Sequence, residues 1–274
     1  MSVRIRPVLL GAVLTLALAG PAVAESPYGI RLAQAAREFG DELSREEREA
    51  TAEFMFGNAL YALLHELGHA LASEFRLALP ARREEAVDSF AALALLSLGD
   101  DVPDGVLASA AQGWLLAGEG DRDLAFHRRH RFDRQRAAHL VCVLAGSDAK
   151  ELRLPEEAPV HQRNCSAEYR RAKALWDGLL NGRLRGPGTP APRIDLIYGH
   201  ARPEHAPYRD ALRALRLLET VASVAERYAL PRRMTIEAMS CGAANALWDA
   251  ERRRITLCYE LAAVDVESLR RDAR

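Results

Sequence analysis

Apolar residues recur at helical spacing through Phe54, Phe56, Leu60, Leu63, Leu64, Leu67 and Leu71. Residues three and four apart share a helix face, so this stretch predicts a helix buried over much of its circumference. Its start is marked at Ser44-Arg45-Glu46-Glu47. This is a capping box, in which Ser44 caps the first amide groups and Glu47 reaches back to the Ser44 N–H. The helix is expected to begin near Arg45 and to end by Leu79-Pro80. A second, mostly buried helix is predicted over about Arg83–Leu98. Further helical patterns lie near Val106–Leu116, Asp133–Leu144, Ala167–Leu180 and Tyr208–Tyr228. The Gly/Pro-rich run 186–192 interrupts the series and reads as an exposed loop.

Toward the C-terminus the pattern changes. Met234–Met239 and Ile255–Tyr259 are short and strand-like, joined by a connection, Cys241–Arg254, that contains Gly, Asn and Asp. The expectation is a β-hairpin, so the fold class is α+β, predominantly α-helical, with a small C-terminal β-hairpin. No repeat of fixed period is present.

The first residues bear on compartment. Arg4 and Arg6 precede an apolar run from Val8 to Ala19, and small residues lead to Ala22-Val23-Ala24. That layout predicts a cleavable secretory signal peptide over 1–24 and a mature chain of 25–274. The run is well short of the roughly 20 residues that span a bilayer, so no stable membrane anchor is expected after cleavage. The expected location is periplasmic or extracellular. With 37 basic and 38 acidic residues the chain offers no electrostatic reason to bind nucleic acid. All four cysteines, Cys142, Cys165, Cys241 and Cys258, fall in the exported part. An even count in an oxidising compartment predicts two disulfides. Pairing Cys142 with Cys165 and Cys241 with Cys258 is favoured because each closes a short loop.

The most specific pattern is His65-Glu66-Leu67-Gly68-His69. Two His four apart on a helix can meet one Zn²⁺, with Glu66 projecting beside the metal as a general base. Two His and a Glu are costly on a buried helix unless satisfied, and a metal satisfies all three. A catalytic zinc takes three protein ligands and leaves a fourth position for water. The acidic cluster Glu84, Glu85 and Asp88 opens the next predicted helix. In zincins whose third ligand is a Glu, an Asp four positions later commonly orients a ligating His. Glu84 and Asp88 have that spacing, which makes Glu84 the preferred ligand and Asp88 the orienting group. Asp88 itself, Glu85 or a distant His stay open as alternatives. His127, His130 and His139 are weighed separately: His127-Arg128-Arg129-His130 lacks a carboxylate constellation of its own and reads as a solvated basic stretch, not a second metal site. His130 and Arg136 are candidates to stabilise the transition-state oxyanion.

With this motif in place, the chain resembles a family of bacterial secreted proteins described as putative metallopeptidases. The resemblance is carried by Phe56–Leu71, Arg83–Leu95, His130–Asp148, Asn164–Leu180 and Thr235–Leu261, and so covers about 54–261. It departs from the family pattern at the acidic cluster and at Trp248, where a Tyr is common. It implies a zincin-like fold, one zinc per chain, and a peptide or protein substrate. The hairpin is expected to line the cleft as an edge for an extended substrate, with Tyr259 or Asn245 in contact with it. The rival expectation is a non-catalytic binding or assembly protein stabilised by a closed, four-ligand zinc.

Overall fold

The computed structural model describes residues 26–99, 102, 104–119, 134–147 and 164–272. The predicted signal segment 1–24, together with His127 and His130, lies outside the described residues. The helix expected after Ser44 is the axis of the fold. It runs from Arg45 to Glu74 as α2, 30 residues long, which at helical rise is about 45 Å. The capping box forms: Glu47 N donates to Ser44 Oγ at 3.2 Å, and Ser44 N donates to Glu47 Oε2 at 2.7 Å. The helix stops before Leu79-Pro80, because Arg76 takes a left-handed φ of 53°.

A short helix, α1 (Pro27–Ala35), precedes it. It is followed by α3 (Arg83–Ser97), α4 (Asp104–Glu119), α5 (Arg134–Ala145) and α6 (Cys165–Leu179). Both α3 and α4 pack on α2, while α5 bridges α3, α4 and α6. Gly68 sets the approach of α3 to α2: a Cβ there would lie 2.9 Å from Val87 Cγ1 and 3.1 Å from Phe90 Cδ1. Two bonds fix α6 to its neighbours. Trp176 Nε1 donates to Ala86 O at 2.7 Å, and the disulfide Cys142–Cys165 joins α5 to α6.

The single helix predicted over Tyr208–Tyr228 is two, α7 (Ala206–Ala214) and α8 (Leu217–Ala225). They part at Arg216, whose φ of 58° cannot continue a right-handed helix. A final helix, α9 (Tyr259–Asp272), begins where the last strand was expected to end.

The β element is larger than a hairpin. Strands β1 (Ile194–Tyr198), β2 (Met234–Met239), β3 (Ala246–Asp249) and β4 (Arg254–Cys258) form one sheet in the order β1-β2-β4-β3. The two strand-like stretches seen in the sequence, β2 and β4, are parallel neighbours and so cannot be the two arms of a hairpin. The hairpin is β3–β4, antiparallel, with Trp248 opposite Ile255. Its turn is held by Asp249 Oδ1, which accepts from Glu251 N and Arg252 N at 3.0 Å each. The disulfide Cys241–Cys258 ties the exit of β2 to the end of β4. Both β3 and β4 lie against α2, which sets the edge strand β3 beside the C-terminal part of that helix. The fold class is thus α+β and predominantly helical, with a small mixed sheet in place of the expected hairpin alone.

Candidate metal centre

His65, Glu66 and His69 lie in the C-terminal third of α2, a helix packed against α3, α8, α9 and the sheet. His65 is fully buried and Glu66 nearly so. One turn earlier Tyr61 is buried too, and its hydroxyl donates to Asp88 Oδ1 at 2.8 Å. The same carboxylate oxygen lies 2.9 Å from His65 Nδ1. A carboxylate only accepts, so Nδ1 carries a proton toward Asp88, and Nε2 is the ring nitrogen turned to the other side. That nitrogen lies 3.1 Å from His69 Nε2 and 3.4 Å from Glu84 Oε2, and His69 Nε2 lies 3.5 Å from Glu84 Oε1.

Asp88 is the hub of this arrangement. Arg136, on α5, donates to it twice, Nε to Oδ2 at 2.7 Å and Nη2 to Oδ1 at 2.8 Å. Burial alone would push the Asp88 carboxyl up, but the hydrogen bonds and charges of His65 and Arg136 hold it down at about 2. Burial likewise works to lower His65, yet the bonds to Asp88 and Glu84 and the charges of Asp88 and Glu66 raise it to about 9. Tyr61 is pushed well above its ordinary value by burial and by the Asp88 charge, so it stays protonated as a donor.

Donor chemistry and spacing together test whether a metal fits. Two imidazole nitrogens and a carboxylate, one ligand atom from each, lie within 4.8 Å of one another. Their nearest separations, 3.1 to 3.5 Å, are close to the roughly 3.3 Å edge of a tetrahedron with ligands 2.0–2.1 Å from a zinc. The set is thus suited to zinc. A second grouping, Cys241, Cys258 and Glu260, has its two sulfurs joined to each other as a disulfide, so they are not thiolate ligands.

An open cleft reaches this cluster. Glu66, His69 and Glu84 form its floor, and Leu77, Leu79, Arg83 and Trp248 are among its walls. Trp248 brings the edge strand β3 to the cleft. Neither Tyr259 nor Asn245 lines it: Tyr259 is fully buried at the start of α9.

The residues singled out in the sequence are therefore brought together in part. His65, Glu66, His69, Glu84 and Asp88 converge, whereas Glu85 turns outward to pair with Arg82 at 2.9 Å. Arg136 reaches the site but is buried against Asp88 and is not among the cleft walls. His130 lies outside the described residues. Sequence reasoning passed over Tyr61, Arg83 and the partners of His139, which stands in a polar relay beside the site and not in a solvated stretch. In that relay His139 Nε2 is 2.8 Å from Ser89 Oγ, and its Nδ1 is 3.0 Å from Glu168 Oε2. Tyr61 had a signal available, since it stands four residues before His65 on the same helix face. The relay had none, because its three residues are far apart in sequence.

The mostly helical α+β domain thus sets its His-Glu-x-x-His helix beside an acidic helix, with His65, His69 and Glu84 grouped so that they could hold a metal ion. The chain belongs to the family described as Putative metallopeptidase (DUF4344), whose model matches residues 27–180 and 199–273. No curated protein and no solved structure matches it.

Proposed function

We propose that this chain is an exported zinc-dependent metallopeptidase, in which His65, His69 and Glu84 hold one zinc ion per chain and Glu66 is the general base. The observation that carries the reading is the convergence of two imidazole nitrogens and a carboxylate, with His65 buried behind an open cleft that His69, Glu84 and Glu66 line. When bound, zinc supplies Lewis acidity, making a water acidic near neutral pH and polarising a peptide carbonyl. Glu66 takes the proton released as water attacks the carbonyl and delivers it to the departing amine. Asp88 fixes the His65 tautomer so that Nε2, not Nδ1, faces the ligand cluster. Arg136 keeps Asp88 ionised and in place, so its part is positioning and not contact with the oxyanion.

Two disulfides are compatible with an oxidising, extracytoplasmic compartment. Among the described residues no helix is long and apolar enough to cross a membrane. Both fit export directed by residues 1–24 and a peptide or protein substrate met outside the cytoplasm.

Elemental mass spectrometry of purified 25–274, beside a His65→Ala/His69→Ala double variant, tests the metal assignment. About one zinc per chain is expected in the first and none in the second. Zinc absent from folded, oxidised wild type after reconstitution would overturn the reading. Hydrolysis of a quenched peptide mixture by the loaded chain tests the activity, and a loaded chain that cuts none would favour the binding-protein alternative.

A further inference from the structure

The way α2 stops shapes the cleft beyond the metal ligands. Leu77 N donates to Ala72 O at 2.9 Å and Arg76 N donates to Ser73 O at 3.3 Å, with Arg76 in the left-handed region at φ 53°. These two bonds define a Schellman stop, which folds the chain back over the last turn of the helix. Gly is the usual residue at the left-handed position, because a side chain is strained there. Here Arg76 holds it, and the turn returns Leu77 to Ala72, three residues past His69 on the same helix face. Ala72, Leu77 and Leu79 all line the cleft. Both leucines also pack on the hydrophobic core, so this wall is formed before any ligand arrives. Trp248 and Ala250 line the cleft from the β3–β4 hairpin.

Charge separates this recess from the ligand cluster. Glu66 and Glu84 are the acidic residues lining the cleft among the described residues, and both belong to the cluster. Arg83 adds a positive charge to the lining. A cationic side chain entering the recess would therefore lose water, gain no carboxylate of its own and meet Arg83. An apolar side chain would gain by covering Ala72, Leu77 and Leu79. The cleft's volume of about 440 Å³ suits a large side chain and not a folded segment.

We propose that this recess is a specificity pocket that takes an uncharged apolar side chain, of leucine or phenylalanine size, from a residue beside the bond to be cut, and rejects lysine and arginine. The inference rests on the peptidase reading of the same site. The recess is continuous with the floor that carries His69, Glu66 and Glu84, so a peptide whose carbonyl lies over that floor places a neighbouring side chain against Ala72 and Leu77.

Zinc-loaded mature chain is offered quenched peptides in which each position of a neutral, amidated sequence is in turn Leu, Ser, Asp or Lys. At one position beside the cut, Leu is expected to lower KM roughly tenfold or more relative to Ser, with Lys the poorest. Ala72→Leu fills the recess without removing a core side chain. In that variant the Leu/Ser ratio is expected to collapse toward one, with zinc content retained. Where Ala72→Leu does not fold, Leu79→Ser strips apolar area from the same wall and carries the same expectation. Arg83→Gln is expected to narrow the discrimination against Lys. Calorimetry on zinc-loaded Glu66→Gln, alone and combined with each wall variant, measures binding of the same peptides without turnover. A wild type that cuts no peptide would sink the peptidase reading, while the calorimetric Leu/Ser ratio would still decide the pocket. Equal binding of Leu and Ser peptides, Asp or Lys preferred to Leu, or a Leu preference unaltered by the wall variants would overturn it.

Discussion

The Asp88 carboxylate and the Arg136 guanidinium form a two-point ion pair in the interior, at 2.7 and 2.8 Å. Asp88 is wholly buried and Arg136 is 4 % exposed. Removing one member strands the other in a medium that solvates charge poorly. Arg136→Gln is expected to lose about 3–5 kcal/mol of stability, read by urea unfolding. It should also weaken zinc binding on the order of 10–100-fold, because the group that orients His65 is no longer held. Chelator competition measures this, and an unchanged zinc affinity in a folded variant would show that Asp88 does not need Arg136.

Glu66→Gln separates binding from chemistry. The amide keeps the shape of the side chain but cannot accept a proton. The variant should hold zinc as the wild type does and lose on the order of 10²–10⁴-fold in kcat toward any peptide the wild type cuts. Initial rates on protein of matched zinc content check this. Full activity would assign the proton transfer elsewhere.

A pH dependence follows from Glu53, which lies on α2 far from the cluster. Burial raises its carboxyl to about 7; the hydrogen bond from Tyr28 works the other way, and the Glu49 charge adds to the rise. Between the ordinary value of 4.5 and about 7 the folded chain binds more protons here than the unfolded chain. Stability contributed by this group is therefore fully present below 4.5 and is lost as pH rises through 7, by on the order of 2–3 kcal/mol. Urea unfolding of wild type and Glu53→Gln at pH 5 and pH 8 should show the difference between them changing in that direction.

At Gly68 a methyl group would press on Val87 and Phe90 of α3. Gly68→Ala is expected to cost roughly 1–3 kcal/mol through overpacking. Because α3 also carries Glu84, zinc affinity should fall with stability. A stable variant with normal zinc binding would mean that α3 shifts without disturbing the ligand set.

The disulfide Cys142–Cys165 closes a separation of 23 residues. Loop-entropy reasoning gives about 3 kcal/mol for its removal in a Cys142→Ala/Cys165→Ala variant. Thermal unfolding of oxidised wild type and variant checks the magnitude, and equal midpoints would show that packing alone holds α5 to α6.

The local signals along the chain were strong where one segment determines its own state. Ser44 with Glu47 placed the start of α2 to the residue, and His65, Glu66 and His69 needed only helical spacing to share a site. The non-local relationships were weaker. Met234–Met239 and Ile255–Tyr259 looked like a hairpin because they are close in sequence. A parallel pairing is invisible to local pattern, however, and β1 at Ile194–Tyr198 was hidden behind the Pro/Gly run. The break at Arg216 carried no Gly or Pro to announce it. Arg136 drew notice as a cation near the site, but only the packing of α5 on α3 shows that Asp88 claims it.

The seam on α5 also governs how the chain can change. Arg136, His139 and Cys142 stand three residues apart, and they engage Asp88, Ser89 with Glu168, and Cys165 in turn. Inserting one residue within that stretch would turn everything beyond it by about 100°. Contacts on one side of the insertion could then form only at the expense of those on the other. Gains and losses of length are therefore forbidden within these two turns of helix, where a frameshift of geometry would part the ligand shell from its covalent brace.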